Sequence, residues 1–373
     1  TIMSIPNLHY EDFVEGLPSL EGKAVAITGT TSGTGFYCAM AAINKGAATV
    51  LLLNRASSRA TEADAQVVAA AEGTSTTVQS IVCDLMSFES VRKAAEEVKG
   101  AVFWGGLDVL ACNAGVMAMP DDRTIDGYEV QMQTNHLSHF LLAGMLMPSL
   151  ETAANKHGEA RCVQHSSGAR FFGLGKLPFG ATMDKCEPGT LGGNSSTFMT
   201  LNFVGGQIRR YCHSKLANAV FAMALHKKLD ATGSKVKSVV CEPGLAETRL
   251  IQKGFHVDTN TPVAGTIKTQ AMKAFSCLNA MQSGADGSMP LLQACFGADV
   301  DSGDLYCPTK KFPLPTGAGI KIVYNKGLPQ KTIAAGVPVF GPSDEKEKMP
   351  VDDAFKETLW TKSEAAVDLT FKV

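Results

Sequence analysis

The stretch KAVAITGTTSGTG, residues 23–35, decides the fold of this chain. It begins with a short apolar run that predicts a β-strand, passes through glycines, and leads into a run up to residue 46 that predicts a helix. This order favours a phosphate-binding loop, because glycines let the backbone approach a pyrophosphate at the helix N-terminus. A plain flexible turn is the alternative. The loop residues expected to bind a nucleotide are Thr28, Gly29, Thr31, Ser32, Gly33, Thr34 and Gly35.

The same alternation of apolar strands and helices continues along the chain. Further strands are predicted at 49–53, 77–83, 107–112, 161–165 and 236–241 and near residue 305, with helices at 59–72, 87–100, 127–155, 211–230 and 289–296. Strands that are apolar throughout are buried on both faces, which is typical of parallel sheets covered by helices. We therefore predict the α/β class, with a single Rossmann-like, doubly wound parallel sheet of about seven strands.

Three regions are expected in the chain. Residues 1–22 form an N-terminal arm, residues 23–307 form the sheet domain, and residues 308–373 form a C-terminal extension that packs on the domain and ends in an amphipathic turn. Two irregular insertions, about 170–209 and 249–285, interrupt the domain before Tyr211 and after Thr248. Both would flank the carboxyl edge of the sheet, where such folds bind their ligands.

Composition argues against several classes of protein. The 373 residues carry a net charge of −2, so no basic field points to nucleic acid, and no apolar run is long enough to span a membrane. The ten cysteines form no CxxC pair and lack the spacing of metal ligands, which favours free thiols and no metal site. Such thiols indicate a reducing compartment, either the cytoplasm or the interior of a plastid or mitochondrion after removal of a targeting segment.

The end of the second strand bears on the choice of nucleotide. NAD-binding proteins place an acidic residue there for the ribose hydroxyls, whereas this chain has Asn54-Arg55, with Arg59 one helical turn further on. Two guanidinium groups suit a 2′-phosphate, because arginine forms forked, charge-assisted hydrogen bonds to phosphate. Arg55 and Arg59 therefore predict a preference for NADP(H) over NAD(H), with a solvated surface pair as the alternative.

A tyrosine and a lysine four residues apart open the predicted helix at 211–230. Tyr211 and Lys215 share one helix face at this spacing, and an ammonium beside a phenol lowers the tyrosine pKa and favours proton transfer. Tyr306 and Lys310 repeat the spacing, but Pro308 between them disfavours a helix. The spacing alone therefore does not identify a catalytic pair, and the sequence around Tyr211 has to show whether it belongs to one.

In that context the chain resembles the short-chain dehydrogenase/reductase family. The resemblance covers roughly residues 23–307 and rests on motifs in the family's order: the glycine loop, Cys83-Asp84-Leu85, Asn113-Ala114-Gly115, Asn135, Ser166-Ser167, Tyr211 with Lys215, and Pro243-Gly244 with Thr248. Within the family, residues 211–229 and 135–142 are similar to retinol dehydrogenases and protochlorophyllide reductases. Ala217 stands where the protochlorophyllide branch carries a cysteine, so photoreduction is not expected.

The resemblance implies a role for each matching residue. Tyr211 would be the general acid/base, Lys215 would lower its pKa and hold the nicotinamide ribose, Ser167 would bind the substrate oxygen, and Asn135 would hold a water of the proton relay. Ser166 is the competing choice for the catalytic serine. Further cofactor contacts are implied for Asp84 at the adenine, for Thr248 at the carboxamide, and for Leu85, Asn113, Ala114, Gly115, Pro243 and Gly244 along the cleft.

The resemblance then implies an NADPH-dependent oxidoreductase that moves a hydride to or from a carbonyl or alcohol carbon of a bulky, lipophilic small molecule. The alternative is a non-catalytic or regulatory nucleotide-binding subunit of a larger assembly.

Helices at 137–150 and 216–229 would pair across a two-fold axis in a homodimer, unless the tail beyond residue 308 covers them. Four histidines near the motifs are expected to lie in the core or at the surface rather than at a metal: His136, His139, His165 and His213.

Overall fold

The computed structural model describes residues 6–172, 179–195, 205–244, 246, 282–308, 319–325, 328–332 and 352–373. In these residues, nine strands form one sheet in the order β3-β2-β1-β4-β5-β6-β7-β8-β9, with β1 to β7 parallel. The parallel strands are β1 Ala24–Thr28, β2 Thr49–Asn54, β3 Thr77–Val82, β4 Val109–Cys112, β5 Ala160–His165, β6 Val236–Cys241 and β7 Asp304–Pro308. The predicted α/β class and single doubly wound sheet of about seven parallel strands are confirmed.

Two strands of the C-terminal extension were not predicted. β8 (Gly319–Asn325) pairs antiparallel with β7, and β9 (Leu328–Thr332) pairs antiparallel with β8. The surrounding sequence is rich in proline and glycine, which masked the strand pattern. The sheet therefore continues past its parallel part into an antiparallel edge.

Nine α-helical segments accompany the sheet in the described part of the chain. They are α1 Tyr10–Glu15, α2 Gly33–Asn44, α3 Ser58–Ala71, α4 Phe88–Ala101, α5 Val130–Met132, α6 Ser138–His157, α7 Gly206–Thr232, α8 Met289–Phe296 and α9 Asp353–Val367. The long helix predicted at 127–155 runs from residue 130 to 157 and contains a π-helical turn, Gln133–Leu137, between α5 and α6. Ser87 caps α4 by accepting a hydrogen bond from the backbone N–H of Ser90.

The two faces of the sheet carry separate hydrophobic layers. Val25 and Ile27 of β1 pack on one face, in a layer that includes residues of α2 and α8. Ala26, between them, packs on the other face with residues of α4, α6 and α7. Both faces are thus covered, and the carboxyl edge of the parallel strands is where polar loops gather.

The last helix, α9, packs on α6 and α7. Trp360 is 3% exposed, and its ring centroid lies 5.2 Å from that of Phe140, 5.9 Å from that of Phe221 and 4.9 Å from that of Phe371. The C-terminal helix therefore packs on both of the helices that the resemblance assigned to a dimer interface. Among the described residues, no helix is long and apolar enough to cross a membrane.

Candidate active site

The predicted site residues lie on loops and helix starts at the carboxyl edge of the parallel sheet. The glycine loop follows β1, the segment from Asn113 follows β4, and Ser166 and Ser167 follow β5. Tyr211 and Lys215 lie near the start of α7, and Pro243 and Gly244 follow β6. Parallel strands place these chain segments side by side, although they are far apart in sequence. Thr248 lies outside the described residues, as does most of the second insertion.

Lys215 is buried next to Tyr211. Its Nζ lies 5.9 Å from the centroid of the Tyr211 ring and donates a hydrogen bond to the His165 carbonyl at 2.8 Å. Only 4% of Lys215 is exposed, and this burial lowers its pKa to about 8. The lysine is thus held at the tyrosine face by a strand end rather than by a carboxylate.

Tyr211 is itself 6% exposed, and burial raises its pKa above the ordinary value of 10.0. A hydrogen bond between the Tyr211 and Ser167 side chains acts in the opposite direction. The sequence predicted a lowered pKa for Tyr211, and this is wrong, because desolvation of the buried phenol outweighs the opposing effect of the Ser167 hydrogen bond. Tyr211 is therefore a protonated phenol at neutral pH.

The two neighbouring serines have different surroundings. Ser166 is buried, and its Oγ donates a hydrogen bond to the Lys215 carbonyl at 2.8 Å. Ser167 is half-buried and bonds Tyr211 through its side chain. Ser166 thus fastens α7 to the end of β5, whereas Ser167 faces the tyrosine.

Asn135 lies in the π-helical turn between α5 and α6. Its Oδ1 accepts a hydrogen bond from the Val116 N–H (2.7 Å), and its Nδ2 donates to the Val116 carbonyl (2.9 Å) and to Ser214 Oγ (2.8 Å). A Cβ placed on Gly115 would lie 3.1 Å from Asn135 Oδ1 and 3.4 Å from Lys215 Nζ. Asn135 and Lys215 therefore flank the same glycine, although they share no direct hydrogen bond.

The glycine loop leaves no room for side chains where it meets β4. A Cβ on Gly35 would lie 2.3 Å from the Gly29 carbonyl oxygen and 2.4 Å from Asn113 Nδ2. Gly29 and Gly33 adopt positive φ angles of 76° and 61°. Asn113 ties the loop together, since its Nδ2 donates to the Thr28 carbonyl (2.9 Å) and its Oδ1 accepts from Thr34 Oγ1 (2.8 Å). This open-backbone cradle fits the pyrophosphate of a dinucleotide.

The two arginines at the end of β2 differ in exposure. Arg55 is exposed and Arg59 is half-buried, and the buried Nε of Arg59 has no hydrogen-bond partner within the described residues. A buried N–H that has no partner among the described residues fits an anionic group such as a 2′-phosphate. An acid also lies nearby, because Asn54 Nδ2 donates to Asp64 Oδ1 at 2.9 Å.

The remaining residues predicted to contact the cofactor follow β3 and β6. Asp84 is half-buried, and its Oδ1 accepts a hydrogen bond from the Met86 N–H at 3.0 Å. Leu85 is buried in the core, so its side chain contributes to packing. The Pro243 carbonyl accepts a hydrogen bond from Gln282 Nε2. Beside it, Glu242 forms a buried ion pair with Arg170.

Two histidines connect the strand ends, and the sequence reasoning did not foresee their role. His139 Nδ1 donates to the Asn135 carbonyl (2.9 Å), so its Nε2 accepts from Thr28 Oγ1 (2.9 Å). His165 Nδ1 donates to Asn113 Oδ1 at 2.8 Å. Burial lowers the pKa of His139 to about 4 and that of His165 to about 3, so both are neutral linkers. Their spacing in the sequence carries no signal of this, and the described residues contain no cluster of side chains suited to a metal ion.

Comparisons with known proteins find both related sequences and related structures. Residues 23–179 match the family model described as short chain dehydrogenase. An uncharacterized oxidoreductase of Schizosaccharomyces pombe is 32% identical over 239 residues, which cover 63% of this chain and 63% of that protein. Retinol dehydrogenase 12 of Bos taurus is 33% identical over 236 residues, which cover 63% of this chain and 65% of that protein. The matched region thus spans less than two thirds of the length of these relatives.

Solved structures show the same fold over more of the chain. An uncharacterized protein from Mycobacterium paratuberculosis superposes with a TM-score of 0.61 at 25% identity, covering 96% of this chain and 98% of that one. A short-chain type dehydrogenase/reductase from Mycobacterium marinum superposes with a TM-score of 0.52 at 18% identity, covering 76% of this chain and 92% of that one. The fold likeness therefore extends beyond the region matched by the family model.

Proposed function

The chain belongs to the short-chain dehydrogenase family and resembles the retinol dehydrogenases within it, and on this premise we propose that it is an NADPH-dependent oxidoreductase. Its substrate is a bulky, lipophilic carbonyl compound or the matching alcohol. The observation that carries the proposal is the group formed by the buried Tyr211 and Lys215 and the half-buried Ser167, at the same sheet edge as the glycine loop. A hydrogen-bonding serine, a phenol and a buried ammonium are the groups that proton transfer to a carbonyl oxygen requires.

Each side chain has a separate task in the proposed reaction. NADPH supplies the hydride when it is bound. Ser167 donates a hydrogen bond to the substrate oxygen, and Tyr211 gives that oxygen its phenolic proton as the carbon gains the hydride, so that an alcohol forms. The raised pKa of Tyr211 keeps this proton in place before reaction, and the charged form of Lys215 stabilises the phenolate that remains.

The preference for NADPH rests on Arg55 and Arg59. Both follow β2, and the Nε of Arg59, which has no partner in the described part of the chain, offers a donor to a phosphate. Removing both guanidinium groups should lower the ratio of kcat/KM for NADPH over NADH by about tenfold or more, since a charge-assisted hydrogen bond contributes about 1.5–3 kcal/mol. A wild-type protein that prefers NADH would contradict this part of the proposal.

The lipophilic substrate is supported by what similar proteins are named for. These include retinol dehydrogenase 12 and a polyprenol dehydrogenase of Mus musculus, which is 31% identical over 234 residues. A panel of carbonyl compounds that runs from a water-soluble ketone to a long isoprenoid aldehyde tests it. We expect kcat/KM to rise with apolar length, and a preference for the small ketone would refute the substrate class.

The role of Tyr211 is tested with Tyr211→Phe. The variant should lose at least about 100-fold in kcat while its Kd for NADPH stays unchanged, because the phenolic proton is lost but the ring remains. Tyr306→Phe is the matched control, since it alters the second tyrosine of the same sequence spacing. Tyr306 is buried in β7, where its hydroxyl donates to Asp304 Oδ2 at 2.8 Å. Equal turnover in Tyr211→Phe and wild type would reject the mechanism.

A further inference from the structure

Arg210, the residue before Tyr211, is fully buried. It is 0% exposed and is among the largest buried side chains of the described residues. Arginine is almost never buried at this depth unless each of its N–H groups has a partner. A buried guanidinium directly beside the proposed acid/base therefore calls for a reason.

The guanidinium group joins three chain segments at the carboxyl edge of the sheet. Its Nη1 donates to the carbonyls of Leu191 (2.9 Å) and Gly193 (3.0 Å), which belong to the first insertion. Its Nη2 donates to the Met119 carbonyl at 3.0 Å, in the segment that follows β4. Arg210 itself lies on α7, so one side chain connects the insertion, the segment after β4 and the helix that carries Tyr211.

Two buried carboxylates complete the arrangement. Glu129 Oε1 accepts from Arg210 Nε at 3.1 Å, and Glu129 Oε2 accepts from the Met132 N–H at 2.6 Å. Asp121 Oδ2 lies 3.6 Å from Arg210 Nη1 and accepts from the N–H groups of Leu191 (2.9 Å) and Gly193 (2.7 Å). The insertion is thus held through its carbonyls by the arginine and through its N–H groups by the aspartate.

The energetics of such a cluster favour a positioning role over simple stabilisation. Burying three charges is costly, and apolar replacements of equal volume are often as stable or more so. Burial raises the pKa of Glu129, and Arg210 opposes that rise. What the charged cluster supplies, and an apolar contact would not, is a single defined geometry among three backbone segments.

We propose that Arg210 is a positioning residue that locks residues 183–195 of the insertion against the helix carrying Tyr211, so that they form one fixed wall of the substrate cleft. The insertion follows β5 and packs on the segment that follows β4, which places it where ligands of this fold bind. Substrate binding therefore depends on Arg210, whereas NADPH binding at the glycine loop does not. This inference rests on the proposed function for its kinetic part.

A surface ion pair offers a matched control. Arg123 Nη1 and Glu187 Oε1 lie 2.6 Å apart and join the same two segments, but their side chains are 43% and 70% exposed. Exposed pairs of this kind contribute between about 0 and 1 kcal/mol. Arg123→Met therefore removes a contact between the two segments but leaves the buried contacts of Arg210 intact.

The experiment compares Arg210→Met, Arg210→Lys and Arg123→Met in the full chain. Arg210→Lys keeps the charge but loses the fork, so it provides a folded variant if Arg210→Met does not fold. For the Arg210 variants we expect KM for a carbonyl substrate to rise at least about tenfold, while Kd for NADPH changes less than about twofold. Hydrogen exchange of the amides in 183–195 should become faster in both, and Arg123→Met should show neither effect.

The outcomes separate this inference from the proposed function. If the wild type turns over no carbonyl compound, the proposed function fails. Hydrogen exchange of the amides in 183–195 then decides alone whether Arg210 holds this segment in place. Unchanged exchange and KM in a folded Arg210 variant would overturn the inference. A parallel loss of NADPH affinity would also overturn it, because it would indicate general damage to the fold rather than loss of one wall.

Discussion

Replacing Trp360 by alanine tests how firmly the C-terminal helix is fastened to the domain. Trp360 lies on α9 and packs against three aromatic rings from other parts of the chain, those of Phe140, Phe221 and Phe371. Their centroids lie within 5.9 Å of the Trp360 ring centroid. The Nζ of Lys228 also lies 4.6 Å from the Trp360 ring centroid. The indole therefore connects α9 to α6, to α7 and to the chain end at once.

The expected loss is large on the scale of domain stability. Removing a buried Trp or Phe side chain costs about 3–5 kcal/mol through lost transfer energy and the cavity left behind. Edge-to-face or tilted ring pairs add about 0.5–1.5 kcal/mol each, so the upper part of that range applies here. Because native domains have about 5–15 kcal/mol of stability, Trp360→Ala should lower the denaturation midpoint strongly.

The second tryptophan of the chain is a matched control. Trp104 is 90% exposed, so Trp104→Ala should change the free energy of unfolding by less than about 0.5 kcal/mol. Urea denaturation followed by far-UV circular dichroism measures both. In Trp104→Phe, the fluorescence of Trp360 is the only tryptophan signal and reports directly on release of α9. Equal midpoints for Trp360→Ala and Trp104→Ala would refute the packing described for α9.

Three further predictions concern the site. Lys215 has a pKa of about 8 in the folded protein, against an ordinary value of 10.5. Keeping the lysine charged in the folded state therefore lowers the free energy of unfolding by at most about 3 kcal/mol below pH 8. This loss becomes smaller as the pH rises toward 10.5. Lys215→Met should therefore raise the free energy of unfolding at pH 7 and lose this advantage at pH 10.5, as urea titrations at both pH values would show; an equal gain at both would contradict it. Gly35→Ala should weaken NADPH binding at least about tenfold in a fluorescence titration, because the added Cβ would lie 2.3 Å from the backbone of Gly29. Gly100→Ala on α4 is the control and should not weaken binding, because nothing lies within 4 Å of its added Cβ. Ser167→Ala should lower kcat about 100-fold or more with little change in stability, while Ser166→Ala should mainly lower stability, by about 1 kcal/mol; the reverse pattern would make Ser166 the catalytic serine.

The sequence predicted the regular elements well where apolar period and flanking residues agreed. The strand Val236–Cys241 and the helix Met289–Phe296 have the predicted bounds, and Tyr306 lies in a strand rather than a helix, as Pro308 indicated. These elements depend on local pattern, which a single sequence contains. The glycine loop was found in the same way, since strand, turn and helix follow each other directly.

What the sequence could not predict depends on contacts between distant segments. The burial of Arg210 could not be predicted, because arginine is usually exposed and because its partners lie 17 to 91 residues away in the sequence. The raised pKa of Tyr211 was not predicted either, since the spacing of Tyr211 and Lys215 does not show how deeply the phenol is buried. Neither depth of burial nor the pairing of remote loops is encoded in a local period.

The π-helical turn Gln133–Leu137 shows how the tail and the site become dependent on each other. Two consecutive residues of this turn face different partners: Asn135 bonds Val116 and Ser214 at the cleft, while His136 Nε2 bonds Ser363 Oγ of α9 at 2.9 Å. An extra residue in a helix bends the chain locally, and such turns occur often at functional sites. Because one short backbone segment holds both contacts, we expect release of α9 to remove support from His136 and, through it, from Asn135. The C-terminal helix therefore contacts both the turn that holds Asn135 and α7, the helix that carries Tyr211, although these segments are far apart in the sequence.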